Sequence, residues 1–278
     1  MSAEKAPTPH RLNVDFHWSD HVGPFRVLTE QQARSYDELG YFVLKDAFSS
    51  ELIDQVVAEI DPFEFSQEEQ LRSLKDGRYF IARAGEITFT THLVTRSALL
   101  RRFCGSPLLA GLCADLIGPE VRLYWDQAVY KKPDTAAVFP WHQDNGYAFL
   151  EPQQYLTCWI ALTDATVENG CPWVVPGLHR GGTLAHRYSD AGFVCLSESD
   201  DAIAVPTERG SIAVFSSLTP HSTGPNLTDQ VRKAYIVQFA PDGAYVVQAD
   251  AAGQLTQVPA DDEGRQFVTV RSGEPVLD

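Results

Sequence analysis

The 278-residue chain has no cluster of basic residues. Its 22 Lys and Arg stand against 37 Asp and Glu, a formal net charge of -15. Phosphate backbones are held by grouped Lys and Arg, so nucleic acid is excluded as the main partner and an anionic membrane surface is disfavoured. No apolar run approaches the ~20 residues a membrane-spanning helix needs. The opening MSAEKAPTPHR lacks the apolar stretch of a secretory leader, and none is expected. Cysteine is sparse: Cys104, Cys113, Cys158, Cys171 and Cys195 are odd in number and have no metal-type spacing. They are expected to be reduced, buried thiols of a cytoplasmic protein. Repeats and low-complexity tracts are absent.

What is present divides near Gly118. Residues 1–28 form an irregular arm. TEQQARSYDELG predicts a helix with Thr29 as cap, Gln32 at the capping-box position and Gly40 as stop. YFVLKDAF predicts a short strand, SSELIDQVVAEI a helix closed before Pro62, and residues 97–117 a helical region broken near Gly105-Ser106-Pro107. Beyond Gly118, EVRLYWDQAVY, YLTCWIALTDA, CPWVVPG, DAIAVP, GSIAVFSSL and RKAYIVQFA are short runs rich in Val, Ile, Tyr and Phe, punctuated by turn residues. Helices followed by many short strands predict a mainly β fold with flanking helices (α+β), a sandwich or jelly-roll barrel. One domain is expected over 29–240, with 241–278 as its β-rich extension carrying a mobile tip at ADDEGR.

The chemistry centres on PWHQDNGY, residues 140–147. On a strand, His142 and Asp144 share a face and would grip one ion. Two protein ligands hold a metal weakly, and His221, at the end of the apolar run VFSSL, is the candidate third. Two imidazoles and a carboxylate make the facial set used for non-haem Fe(II), with positions left open. The plainer alternatives are a His oriented by a nearby carboxylate and a solvated turn His. Arg232 opens RKAYIVQFA, eleven residues after His221. A guanidinium inside a barrel wants a carboxylate, and none is fixed by the sequence, so a ligand carboxylate is the candidate partner. The alternative is an Arg on a solvent-facing edge.

Four stretches, QAVYKKP, PWHQDNGY, CWIALTDATVENGCPWVVPGLHRG and VFSSLTPHSTGPNLTDQVRKAYIVQFA, together resemble the phytanoyl-CoA dioxygenase family of Fe(II)/2-oxoglutarate-dependent oxygenases. The resemblance implies a double-stranded β-helix (jelly-roll, cupin-like) core, with Fe(II) as metal and 2-oxoglutarate and O2 as cosubstrates. It implies that His142, Asp144 and His221 bind the metal and that Arg232 salt-bridges the distal carboxylate of 2-oxoglutarate. Thr223 matches the position of a hydroxyl on that carboxylate. Gln127 and Lys131 match positions facing cosubstrate or substrate. Trp159 matches a core aromatic near the cosubstrate. Departures are Leu178 in PGLH and Pro172, both on a structural loop.

By the same resemblance a small organic metabolite would be hydroxylated or otherwise oxidised, with release of succinate and CO2. Asp144 argues against chlorination, since related halogenases lack that carboxylate. His92 (with Thr90 nearby), Trp125, Phe139 and Tyr147 are the candidate substrate residues. The scarcity of basic residues disfavours an acyl-CoA, although Arg83, Arg96, Lys131 and Lys132 would be available for its phosphates. The rival reading is a non-catalytic metal-binding jelly-roll protein of the same fold.

Overall fold

The computed structural model describes residues 7–249 and 252–276; residues 1–6 of the expected arm and 250–251 and 277–278 of the expected extension lie outside them. The core is two antiparallel sheets of a jelly-roll. In the larger sheet the strand order is Tyr41–Leu44, Ile212–Ser216, Leu156–Ala161, Arg232–Pro241, Val121–Lys131 and Ile87–Thr91, followed by two short hairpin strands. The smaller sheet holds Ile203–Ala204, Pro172–Val174, His221–Thr223 and Phe139–His142. Tyr245–Ala249 and Leu255–Pro259 join Phe149–Glu151 in a third sheet, and Val268–Arg271 pairs with Val121–Lys131.

The larger sheet is buried on both faces, which explains its near-continuous apolar strands. Leu156, Cys158 and Ile160 face the helices together with Tyr235, Val237 and Phe239, while Trp159, Ala161, Ala234 and Ile236 face the smaller sheet. The period of two sorts each strand between the two cores. Polar residues inserted on the inward face stand out: Gln127, Thr157 and Arg232 all line the cavity between the sheets.

The predicted caps are present. Thr29 and Gln32 form a capping box on the helix Glu30–Leu39, and Gly40 closes it at φ 84°. The helical region after Ser97 divides into Ala98–Cys104 and Pro107–Leu116, as its Gly-Ser-Pro break predicts. The helix expected to close before Pro62 instead runs from Ser50 to Ser73. A proline in a helix interior costs about 3 kcal/mol. Here a single buried stripe, Ile53, Val56, Ile60, Glu64, Glu68 and Leu71, continues past it. Glu64 accepts from Thr88 Oγ1 and Lys132 Nζ, and Glu68 from the Gly85 amide. Those tertiary contacts offset the local penalty. The ADDEGR tip is a tied turn, in which Asp262 accepts from the Gly264 amide and Arg101 donates to the Gly264 carbonyl.

Candidate active site

His142 ends one strand of the smaller sheet and His221 begins the next, directly opposite it in the antiparallel register. Their ring centroids are 4.0 Å apart. Asp144 is not on the strand; it opens the 3-10 turn Asp144–Gly146. Its Oδ1 nevertheless lies 3.8 Å from His221 Nε2. One donor atom from each of the three residues falls within 4.8 Å of the others. Among the described residues this is the one His/Cys/Asp/Glu group of three or more so arranged.

Hydrogen bonds select which atoms face inward. His142 Nδ1 donates to the Pro140 carbonyl at 2.8 Å and His221 Nδ1 to the Thr219 carbonyl at 3.0 Å. Each bond uses the carbonyl two residues back, fixes the tautomer and presents a bare Nε2. Asp144 Oδ2 accepts from Thr157 Oγ1 at 2.6 Å, which leaves Oδ1 for a cation. Burial, then the neighbouring His221, holds the His142 imidazole well below its ordinary range and therefore neutral.

The residues alternating with the ligands act as braces. Gln143 is fully buried; its side chain donates to the carbonyls of Gly182 and Leu218 and accepts from the Leu184 amide. Asn145 pairs with Leu150 and Thr183. The Gln143 amide donates to His186 Nε2. The His186 ring packs so close to Gly146 that a Cβ there would overlap it.

Arg232 projects into the same cavity, 1% exposed. Its Nη1 reaches the Val129 carbonyl at 3.4 Å, while Nε and Nη2 have no partner. Trp159 lies beneath, its ring centroid 5.3 Å from the guanidinium. A buried, unpaired cation is costly, and these idle donors match a bidentate carboxylate. Two imidazoles, one carboxylate oxygen and a nearby orphan guanidinium therefore fit a divalent cation beside a carboxylate ligand.

Gln127, Thr223, Trp159 and Phe139 also line the cavity. Lys131, expected to face it, lies just behind Thr223 and borders a neighbouring cleft instead. Of the expected substrate residues, His92, Thr90, Trp125 and Tyr147 are outside the lining. His92 heads a 3-10 turn in the left-handed region (φ 55°) and packs edge-on against Trp125 at 4.3 Å. Tyr147 lies behind His142, edge-on at 5.3 Å, within an aromatic group that includes Phe193. Thr90 is buried on the opposite face of its strand from Phe89. Thr157, Phe89, Ile87, Phe215, Val129 and Ile236, not singled out from the sequence, complete the wall. Thr157 had a usable signal, since it stands two residues before Trp159 on one strand and so shares its face.

A jelly-roll whose sheets close on such a donor set has the arrangement of a metal-dependent oxygenase. The sequence profile of phytanoyl-CoA dioxygenase (PhyH) matches residues 36–234, and the chain belongs to that family. It is 26% identical over 257 residues to the bovine (Bos taurus) phytanoyl-CoA dioxygenase domain-containing protein 1, covering 75% of this chain and 88% of the relative. Among solved structures, EvdO2 of Micromonospora carbonacea var. aurantiaca, complexed with 2-oxoglutarate, is 26% identical with a TM-score of 0.60. The match covers 79% of this chain and 92% of that one. The epimerase SnoN, 21% identical, shares the fold with a TM-score of 0.64, over 83% and 94% of the two chains. Among the described residues no helix is long and apolar enough to cross a membrane.

Proposed function

We propose that the protein is an Fe(II)- and 2-oxoglutarate-dependent dioxygenase that oxidises a small, largely uncharged metabolite. The observation that carries this reading is the pairing of the His142–Asp144–His221 group with an unpartnered, buried Arg232 in one cavity. His142 and His221 offer Nε2 and Asp144 offers Oδ1 to the metal. Bound there, the iron supplies the redox chemistry that couples conversion of 2-oxoglutarate and O2 to succinate and CO2 with oxidation of the substrate.

The remaining work belongs to the chain itself. Arg232 and the Thr223 hydroxyl hold the distal carboxylate of 2-oxoglutarate, with Trp159 as a flat shelf. Thr157 keeps Asp144 turned toward the metal. Ile87, Phe89 and Phe139 exclude water from the substrate end, where Gln127 is the polar group available for orientation.

The engagement of the nearby cations supports a small substrate over an acyl-CoA. Lys132 pairs with Glu64 at 2.5 Å and Arg83 with Glu86 at 3.5 Å. Arg96 donates to the Thr91 carbonyl and covers Phe63. Lys131 is 1% exposed. Lys131 and Lys132 are thus already engaged, the first buried and the second half-buried, and Arg83 and Arg96 carry only surface contacts. The five free thiols fit a reducing compartment such as the cytoplasm.

Purified protein mixed with Fe(II), ascorbate and 2-oxoglutarate under O2 is expected to form succinate even without substrate. Absence of succinate, together with no thermal shift on adding 2-oxoglutarate and metal, would favour the non-catalytic metal-binding reading. A chlorinated product in the presence of chloride would overturn the hydroxylase assignment.

A further inference from the structure

Arg232 is not the only buried cation beside the cavity. Lys131 stands directly opposite it in the register of the strands Arg232–Pro241 and Val121–Lys131, and it too is 1% exposed. The Lys131 ammonium touches only uncharged oxygens: the Gly224 carbonyl at 2.5 Å, the Ala137 carbonyl at 3.0 Å, and Thr223 O and Oγ1 at 3.5 Å. Two basic side chains thus stand side by side, and among the described residues no carboxylate is bonded to either.

The other charged groups nearby are spoken for. Arg83 and Glu86 border the cleft beside Lys131 but pair with each other. Lys132, the next residue, is tied to Glu64 on the long helix. From the smaller sheet's side, Cys171 faces Arg232, but burial pushes its thiol up to about 11, so it brings no negative charge near neutrality. Thr223 and Gly224 contribute no charge.

We propose, building on the 2-oxoglutarate reading above, that Lys131 is a positioning residue that couples dicarboxylate binding to proton uptake. Burial, then the Arg232 charge, draws the Lys131 ammonium down to about 7. An incoming distal carboxylate next to Arg232 and Thr223 supplies the missing negative charge and restores the protonated form. With Lys131 charged and donating to Thr223 Oγ1, the hydroxyl proton of Thr223 is left for the carboxylate. With Lys131 neutral, both the second charge and that bias are lost. The protein therefore takes up a proton as the cosubstrate enters, and affinity falls as pH rises above neutrality.

Calorimetric titration of 2-oxoglutarate into Fe(II)-loaded protein under nitrogen tests this. In buffers of different ionisation enthalpy near pH 8, the wild type is expected to take up a proton on binding. Its affinity is expected to fall by up to about tenfold per pH unit between pH 7.5 and 9, the limit for one linked proton. Lys131→Met should bind more weakly at pH 7, with a flatter pH profile and no uptake. Lys132→Met, which removes a cation already paired, should keep the wild-type slope. Binding of 2-oxoglutarate without proton uptake, or an unchanged slope in Lys131→Met, would overturn the role of Lys131 and leave the oxygenase reading intact. Failure of the loaded wild type to bind 2-oxoglutarate at any pH would instead overturn the oxygenase reading, and this inference with it.

Discussion

Thr157 donates its hydroxyl proton to Asp144 Oδ2 at 2.6 Å, from the opposite sheet. The bond spans the two halves of the sandwich. It fixes which carboxylate oxygen faces the two imidazoles, so an uncharged residue on the larger sheet sets the orientation of a carboxylate on a loop of the smaller one.

Thr157→Val keeps the side-chain shape and removes the bond. Loss of such outer-shell support lowers metal affinity by roughly 10–100-fold in comparable sites. Titration with Fe(II) or Co(II) should detect this, with circular dichroism unchanged. Wild-type affinity in the variant would remove Thr157 from the positioning of Asp144.

Arg232→Met should separate stability from binding. The guanidinium is buried with two idle nitrogens, and an apolar chain of similar length removes that burden. The ligand-free variant is therefore expected to melt at or above the wild-type temperature. Deleting one partner of a buried ion pair costs about 3–5 kcal/mol, so 2-oxoglutarate affinity should fall by orders of magnitude while metal affinity holds. Calorimetry with each ligand in turn checks both halves.

Gly146→Ala tests the packing of the ligand loop. The new methyl would overlap the His186 ring, whose Nε2 holds the Gln143 amide. Overpacking of this kind costs about 1–3 kcal/mol. A lower melting temperature and a weaker metal site are expected together, because the displaced His186 ring accepts from the amide of Gln143, which lies between His142 and Asp144.

Acid should destabilise the fold through its buried histidines. Burial holds both His179 and His186 down to about 4. Between that value and the ordinary 6.5 the unfolded chain binds more protons than the folded one, so stability is lost as pH falls through this window. A histidine held one pH unit below its ordinary value carries about 1.4 kcal/mol of this linkage, so the pair accounts for a few kcal/mol once the medium reaches about pH 4.5. Melting curves from pH 7.5 to 4.5 should reveal the slope, and His186→Gln should reduce it.

The candidate donors His142, Asp144 and His221, and Arg232 on a following strand, were open to a linear reading of the chain because they stand out by residue type and short spacing. A His-x-Asp, a strand-end His and an inward Arg are local features. The positions of His92, Trp125 and Tyr147 were not. Tyr147 packs behind His142, and His92, in a left-handed turn, packs on Trp125; none of the three is in the cavity lining. Pro62 likewise misleads locally, since only the contacts of Glu64 and Glu68 keep the helix running through it.

By itself, the sequence determined the short apolar strands, the caps, the donor types and the family. Periodicity and short motifs are properties of neighbouring residues, and neighbours in sequence are all they require. Only the tertiary structure decided that His221 stands opposite His142, that Thr157 reaches Asp144, and that Lys131 stands beside Arg232 with no carboxylate bonded to either among the described residues. Those relationships arise from antiparallel register and from the facing of two sheets. Burial then turns them into energy, because charges and donors removed from water must find partners that distant parts of the chain, or a ligand, provide.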